Sequence, residues 1–305
     1  MAKNFDEELT GGRRVRGKDD IAIRAVGYIL IGLFALICVI PFYLIIVASF
    51  TDEASLIRNG YPLIPTDFSV ESYRLSLKNP TSILMAYGVT IGVTFFGTLL
   101  AVFLASMTGY VLSRRDFPWR NKFSFFFFFT TLFNGGLVPW YILCVRYLHM
   151  KNSIWALILP LMFSVWNMII AKTFMSGIPA AITESAKIDG ANDVIILFKI
   201  IVPLIKATLA VLLLYYGVAH WNAWFNASIY MKDNEKLPIQ NIMRAILIAN
   251  SNVLNSAAAE NDQVNQFAEA IKYSTIILTT LPVLCIYPFI QKYFVKGVMI
   301  GAVKG

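Results

Sequence analysis

Glu184, Lys187, Asp189 and Asp193 crowd into the stretch ITESAKIDGANDVIILFKIIVPL, residues 182–204, between two long apolar runs. Charged side chains at this spacing, with Gly190 and Asn192 among them, can cap helix ends and contact a partner surface. Glu184 stands three residues before Lys187, which predicts a weak surface pair on one helix face. Bond-making chemistry finds no support. His149 and His220 are the only histidines, and neither has the carboxylate, serine or cysteine spacing of a catalytic or zinc centre. Cys38, Cys144 and Cys285 stand singly in or near apolar runs and read as free thiols. No G-x-x-x-x-G-K-[ST] phosphate cradle occurs, and Gly301 is followed by Ala302 where a lysine would be needed.

The elements around the charged stretch follow from its turn residues. Pro179 suits the first turn of a helix and Gly190 suits a left-handed cap, which predicts one short helix over 179–189. Asn192 or Asp193 can cap a second helix over 194–201, and Pro203 marks the entry to the next apolar run. Ser185, Ala186 and Ala191 keep one side small, which permits close approach of another protein. Read without context, this is also what an ordinary capped loop looks like.

The solvent is set by composition. With 57% hydrophobic and 14% charged residues, the chain carries about half the charge of an average soluble protein. Six apolar runs, at 21–50, 82–113, 123–148, 154–174, 204–230 and 273–295, are long enough to cross a bilayer. The expectation is an all-α membrane protein of six transmembrane helices, with the first run a retained anchor. Seventeen of the 26 lysines and arginines fall on one face of that topology, so both termini are expected in the cytoplasm. The charged stretch then lies in the cytoplasmic loop between the fourth and fifth spans. A basic face of this kind suits anionic lipid headgroups, and no soluble basic groove with stacking aromatics points to nucleic acid.

Glu184, Ala186, Asp189, Gly190 and Ala191, followed by Phe198, Ile201 and Pro203, resemble the EAA signature of the permease subunits of ATP-binding-cassette (ABC) importers. Ser185 replaces the usual first alanine and keeps the position small. The likeness continues in PLIPTDFSVESYR (Pro62 to Arg74), with Ser72 where asparagine is usual, in KNSIWALILP (Lys151 to Pro160), in the WNAW stretch from Trp221, and in the terminal GVMIGAVKG. The pattern is closest to the maltose-permease-like branch of the carbohydrate importers, and within it to the LplC-type group linked to complex oligosaccharides.

That resemblance implies an ABC importer type I permease fold in the bacterial cytoplasmic membrane. It implies a homologous second permease, two ATPase subunits that carry ATP and Mg, and an extracytoplasmic sugar-binding protein, with no cofactor on this chain. Residues 1–20 would be a cytoplasmic tail, 21–295 the permease domain with the coupling loop at 179–203 and an external loop at 231–272, and 296–305 a second cytoplasmic tail. Glu184, Ser185, Ala186, Asp189, Gly190, Ala191 and Pro203 would couple to the ATPase. Gly301, Val303, Lys304 and Gly305 would reach the ATPase interface, the alternative being a frayed end.

A sugar path favours aromatic platforms beside amides. Trp221, Asn222, Trp224 and Asn226 fit that chemistry, and so does the aromatic belt of a membrane interface. Asn222 and Asn226, four apart, are expected on one helical face. Asn134 with its neighbouring glycines can line a cavity or mark a kink, and Asn167 can touch substrate or bond between helices. Asn250, Ser251 and Asn252 are placed at the binding-protein contact by position alone. The competing readings are a secondary carrier, which would need acids within the spans and inverted repeats, and an ABC permease for a non-sugar solute.

Overall fold

In lipid an apolar segment must satisfy its own backbone hydrogen bonds, and the helix is the local solution. A computed structural model of the chain describes residues 18–65, 67–77, 80–256, 271–286 and 288. These residues form helices joined by short connections, with one isolated antiparallel bridge between Thr51 and Phe68. α1 (Lys18–Ser49) leads into the short helices α2 (Glu53–Asn59) and α3 (Glu71–Ser76). α4 (Pro80–Ser113) is the longest helix, followed by α5 (Arg120–Leu132) and α6 (Leu137–Tyr147). Then come α7 (Trp155–Leu161), α8 (Val165–Ser176), α9 (Ala180–Ile188), α10 (Asp193–Leu204) and α11 (Lys206–Trp221). α12 (Trp224–Tyr230), α13 (Ile239–Ser256) and α14 (Ile271–Ile286) complete the described part.

Among the described residues, only α1 and α4 are both long and apolar enough to cross a bilayer unbroken. The expected third, fourth and fifth runs are each interrupted. α5 and α6 meet at 111°, because Gly136 adopts φ +87° and its N–H is held by Asn134 Oδ1 at 2.8 Å, a tight polar turn that ends the first helix. α7 and α8 meet at 50°, where the Ser164 side chain accepts from the Asn167 N–H and caps the new helix. α10 and α11 meet at 88° with Ile205 as the hinge residue. Ahead of that elbow the ladder widens into a π turn over Ile196–Ile201, next to Pro203, whose ring nitrogen has no hydrogen to donate. The fifth run breaks once more at Asn222, so α11 and α12 are separate helices.

α4 is the axis on which the rest packs, chiefly against α8 and α11. Towards one end, Ala101, Ala105 and Tyr110 of α4 join Ala171 and Met175 of α8, Ala186 of α9, Ile196 and Ile201 of α10, and Leu212 and Tyr216 of α11 in one core. Towards the other end, Val93 packs with Cys144, Leu157, Ala227 and Tyr230. The small residues set the distance between helices. A Cβ on Gly109 would stand 2.8 Å from Ala171 Cβ and 3.0 Å from the backbone nitrogen of Lys172. By contrast, Ile31, Phe34, Val39 and Phe42 of α1, and Phe125, Phe126 and Leu132 of α5, lie open. Apolar faces of that extent belong against lipid or another subunit.

Gly109→Ala should therefore lower the thermal stability of the purified protein by about 1–3 kcal/mol, since backbone on α8 has to move to admit the methyl group. Gly92→Ala, which meets nothing within 4 Å, should be neutral or slightly stabilising. Thermal unfolding of both variants in the same detergent or nanodisc checks the contrast.

Candidate functional site

The charged loop folds from its caps. Pro179 occupies the N-cap of α9, and Ile182 N–H donates to its carbonyl at 3.1 Å. At the far end Gly190 adopts φ +82°. Its N–H reaches Lys187 O at 3.0 Å while Ala191 N–H reaches Ala186 O at 2.9 Å, a two-bond closure that only a left-handed residue allows. Asn192 Oδ1 accepts from Ile195 N–H at 2.9 Å and starts α10. The two helices are thus a stiff knob turning on Gly190.

What holds the knob to the bundle is Arg114, the first residue after α4. Its Nε donates to Asp116 Oδ1 at 2.8 Å and its Nη1 to the Tyr110 hydroxyl at 2.9 Å. The same guanidinium pairs with the other oxygen of Asp116 and with Asp193 at the start of α10. Lys187 of α9 closes the set on Asp116 Oδ2 at 3.0 Å. Arg114 therefore ties the end of α4 to both helices of the loop. The Arg114 guanidinium, with the Lys187 ammonium, holds the Asp116 carboxyl well below the usual carboxylate range, and that hydrogen bond to Asp116 raises Arg114 further. The expected Glu184–Lys187 surface pair is replaced, because Asp116 offers Lys187 a carboxylate already fixed by Arg114.

The remaining loop residues divide by exposure. Ala186 is buried in the core shared with α8 and α10, and Ala191 packs against it, so these small residues admit the loop to its own bundle. Glu184, Ser185, Asp189 and Gly190 face solvent, and Ile188 at the tip is 87% exposed. Glu184 lines a cavity of about 590 Å³ together with Arg114, Arg115, Asp116, Pro179 and Lys187. Pro203 sits in the last turn of α10, so the joint to α11 lies two residues on, at Ile205. Gly301, Val303, Lys304 and Gly305 lie outside the described residues.

At the other end of α4 the aromatic stretch does not form one platform. Trp221 is buried and lines an apolar cavity of about 490 Å³ between α4, α11 and α14, beside Thr94, Thr98 and Gly217. Trp224 belongs to α12 and lies under Arg244 of α13, whose Cζ is 3.6 Å from the ring centroid. The break at Asn222 also overturns the expected shared face of Asn222 and Asn226. Asn222 terminates α11, while Asn226 is inside α12. Asn167 is buried in α8, and Asn134 shapes the α5–α6 turn. Asn250, Ser251 and Asn252 lie on α13.

One structural residue was hidden inside KNSIWALILP. Asn152, at φ +60°, donates its N–H to Tyr230 O at 2.9 Å, and its side chain accepts from the N–H groups of Lys232 and Asp233. It also donates to the Asp233 carboxylate at 2.7 Å, which with Lys236 keeps that carboxyl below its ordinary value. Asn152 therefore clamps the loop after α12.

The comparisons with known proteins decide the family. Over 279 residues, 92% of this chain and 96% of its relative, the sequence is 41% identical to the polygalacturonan/rhamnogalacturonan transport system permease protein YtcP of Bacillus subtilis (strain 168). It is 37% identical to Protein LplC of the same organism, over 88% of this chain and 90% of that one. The chain belongs to the sugar ABC-transporter permeases. No family model matches. A solved structure of a bacterial ABC transporter involved in the import of the acidic polysaccharide alginate superposes with a TM-score of 0.80 at 27% identity, covering 91% of this chain and 98% of that one. Permeases of this family are membrane transport proteins and not enzymes.

Asp116→Asn should destabilise the wild-type fold measurably at neutral pH. A carboxyl depressed in the folded state stabilises above its unfolded value of about 4 and loses that contribution as pH falls further. The stability gap between wild type and Asp116→Asn should hold steady from pH 8 to 5 and narrow below about 4. Thermal unfolding across that range checks the sign.

Proposed function

We propose that this permease forms half of the translocation path of an ABC importer for an oligosaccharide in the bacterial cytoplasmic membrane. The other half is a homologous permease, two ATPase subunits hydrolyse ATP with Mg, and an extracytoplasmic binding protein delivers the sugar. Six spans place both termini in the cytoplasm, with the permease domain at 21–295 between two tails. The loop 179–203 is the coupling element, and the tail at 301–305 meets the ATPases.

The observation that carries the coupling assignment is the Arg114–Asp116–Lys187–Asp193 cluster, which fastens α9 and α10 to the end of the central helix. A docking element can bias a transition only if displacement of the element displaces the path. Ile188, fully presented at the tip, and exposed Glu184 beside it offer an apolar knob and a charge to a partner cleft. A self-sufficient secondary carrier is disfavoured because α4, α8 and α11 carry no Asp or Glu. The oligosaccharide assignment, against a non-sugar solute, rests on relatives named for polygalacturonan and for arabinooligosaccharides.

Ile188→Glu should cut recovery of the ATPase subunits with the permease by about tenfold or more without shifting the unfolding temperature, since the side chain is already in water. Gly190→Val, forced to φ +82°, should abolish both assembly and uptake. If transport and ATPase co-purification survive Glu184→Ala, Ile188→Glu and Gly190→Val, the coupling role is wrong.

A further inference from the structure

α13 splits its side chains between two neighbours. Ile239 and Ile242 pack with Ile83, Ala86 and Tyr87 of α4, and Met243 Sδ accepts from Thr279 of α14 at 3.1 Å. That register turns Gln240, Asn241 and Arg244 towards the break between α11 and α12. Gln240 Nε2 donates to Asn222 Oδ1 at 3.3 Å, and Asn241 Nδ2 donates to Trp224 O at 3.1 Å and Ser228 Oγ at 3.0 Å. Arg244 lies over the Trp224 ring, 3.6 Å from its centroid.

Arg244 is exposed, and among the described residues no carboxylate pairs with it. Ile239 N–H donates to Thr90 Oγ1 at 2.9 Å and seats the start of α13 on α4. An exposed guanidinium without a carboxylate partner is open to an anion. Stacking on indole fixes the guanidinium plane and leaves its N–H edges free, the arrangement that receives a planar carboxylate in two parallel hydrogen bonds. The amides of Asn222 and Gln240 beside it can take up hydroxyls.

The geometry points to a subsite for the carboxylate of a uronic acid unit, with Arg244 as the anion-binding residue and Trp224 as the surface that orients it. This deepens the oligosaccharide-import reading and rests on it: the passing sugar is acidic, and this permease contacts it directly.

The test is ATP-driven uptake into proteoliposomes by the complete transporter with its binding protein, comparing trigalacturonate with its fully methyl-esterified form. Wild type should favour the acid. Arg244→Gln should lower trigalacturonate uptake about tenfold or more while leaving the ester rate unchanged, and Arg244→Lys should retain part of the acid rate, because a point charge keeps attraction without the two-pronged fit. Equal rates for Arg244→Gln and wild type on the acid would overturn the subsite and leave the import function standing. An equal fall on both sugars would also overturn it, assigning Arg244 to packing of α13. A wild-type complex that hydrolyses ATP and carries neither sugar would sink the substrate class and the subsite with it.

Discussion

The multidentate contact of Arg114 with Asp116, Asp193 and Tyr110 is the constraint on which the charged-loop end of the molecule depends. Each pair, taken singly at a wet surface, contributes at most about 1 kcal/mol. The significance lies in where the partners reside. Tyr110 is on α4, Asp116 is in the connection after it, Lys187 is on α9 and Asp193 begins α10. One guanidinium with a flat, pre-oriented set of donors therefore joins segments that are far apart in sequence, and it is largely shielded, with 16% of its side chain exposed. A lysine there could not serve three directions with the same geometry.

Rigidity in the loop and freedom at the elbow go together. The Gly190 closure and the Asn192 cap leave the knob few internal degrees of freedom, and Ala186 seats it against α8 and α10. The 88° turn at Ile205 and the π turn ahead of Pro203 place the only irregular backbone of α10 next to α11. On the proposed coupling role, displacement of the knob would be passed on as rotation about Ile205 or as displacement of α4 through Arg114. Packed cores transmit such shifts because they have little slack to absorb them.

Local signals were legible in the sequence where the physics is local. Gly190 and Asn192 each announce a cap through their own chemistry and the structure uses both, while Pro179, expected in the first turn, stands one residue before it at the N-cap. Asn134 with its glycines announced the break in the third run, whereas Ser164 breaks a run whose hydropathy is continuous, and hydropathy carries no direction. The Asn222 break defeated a spacing argument that holds only within one uninterrupted helix. Arg114, Asp116 and Asn152 were invisible as site residues, since their roles depend on partners that the fold brings from 71 to 84 positions away. Arg244 is a further case: nothing in its own neighbourhood in the chain points to Trp224.

The charged loop and the Trp224–Arg244 seam are both attached to α4. Its far end holds the Arg114 hub, while Thr90, near its beginning, accepts the backbone N–H that seats α13. Between them, small residues such as Ala101, Ala105 and Gly109 bring α8 and α11 into close contact with the same helix. A stiff helix clasped along its length cannot change its relation to the loop at one end without changing its relation to the seam at the other. The charged loop and the Trp224–Arg244 seam are therefore fastened to one and the same helix.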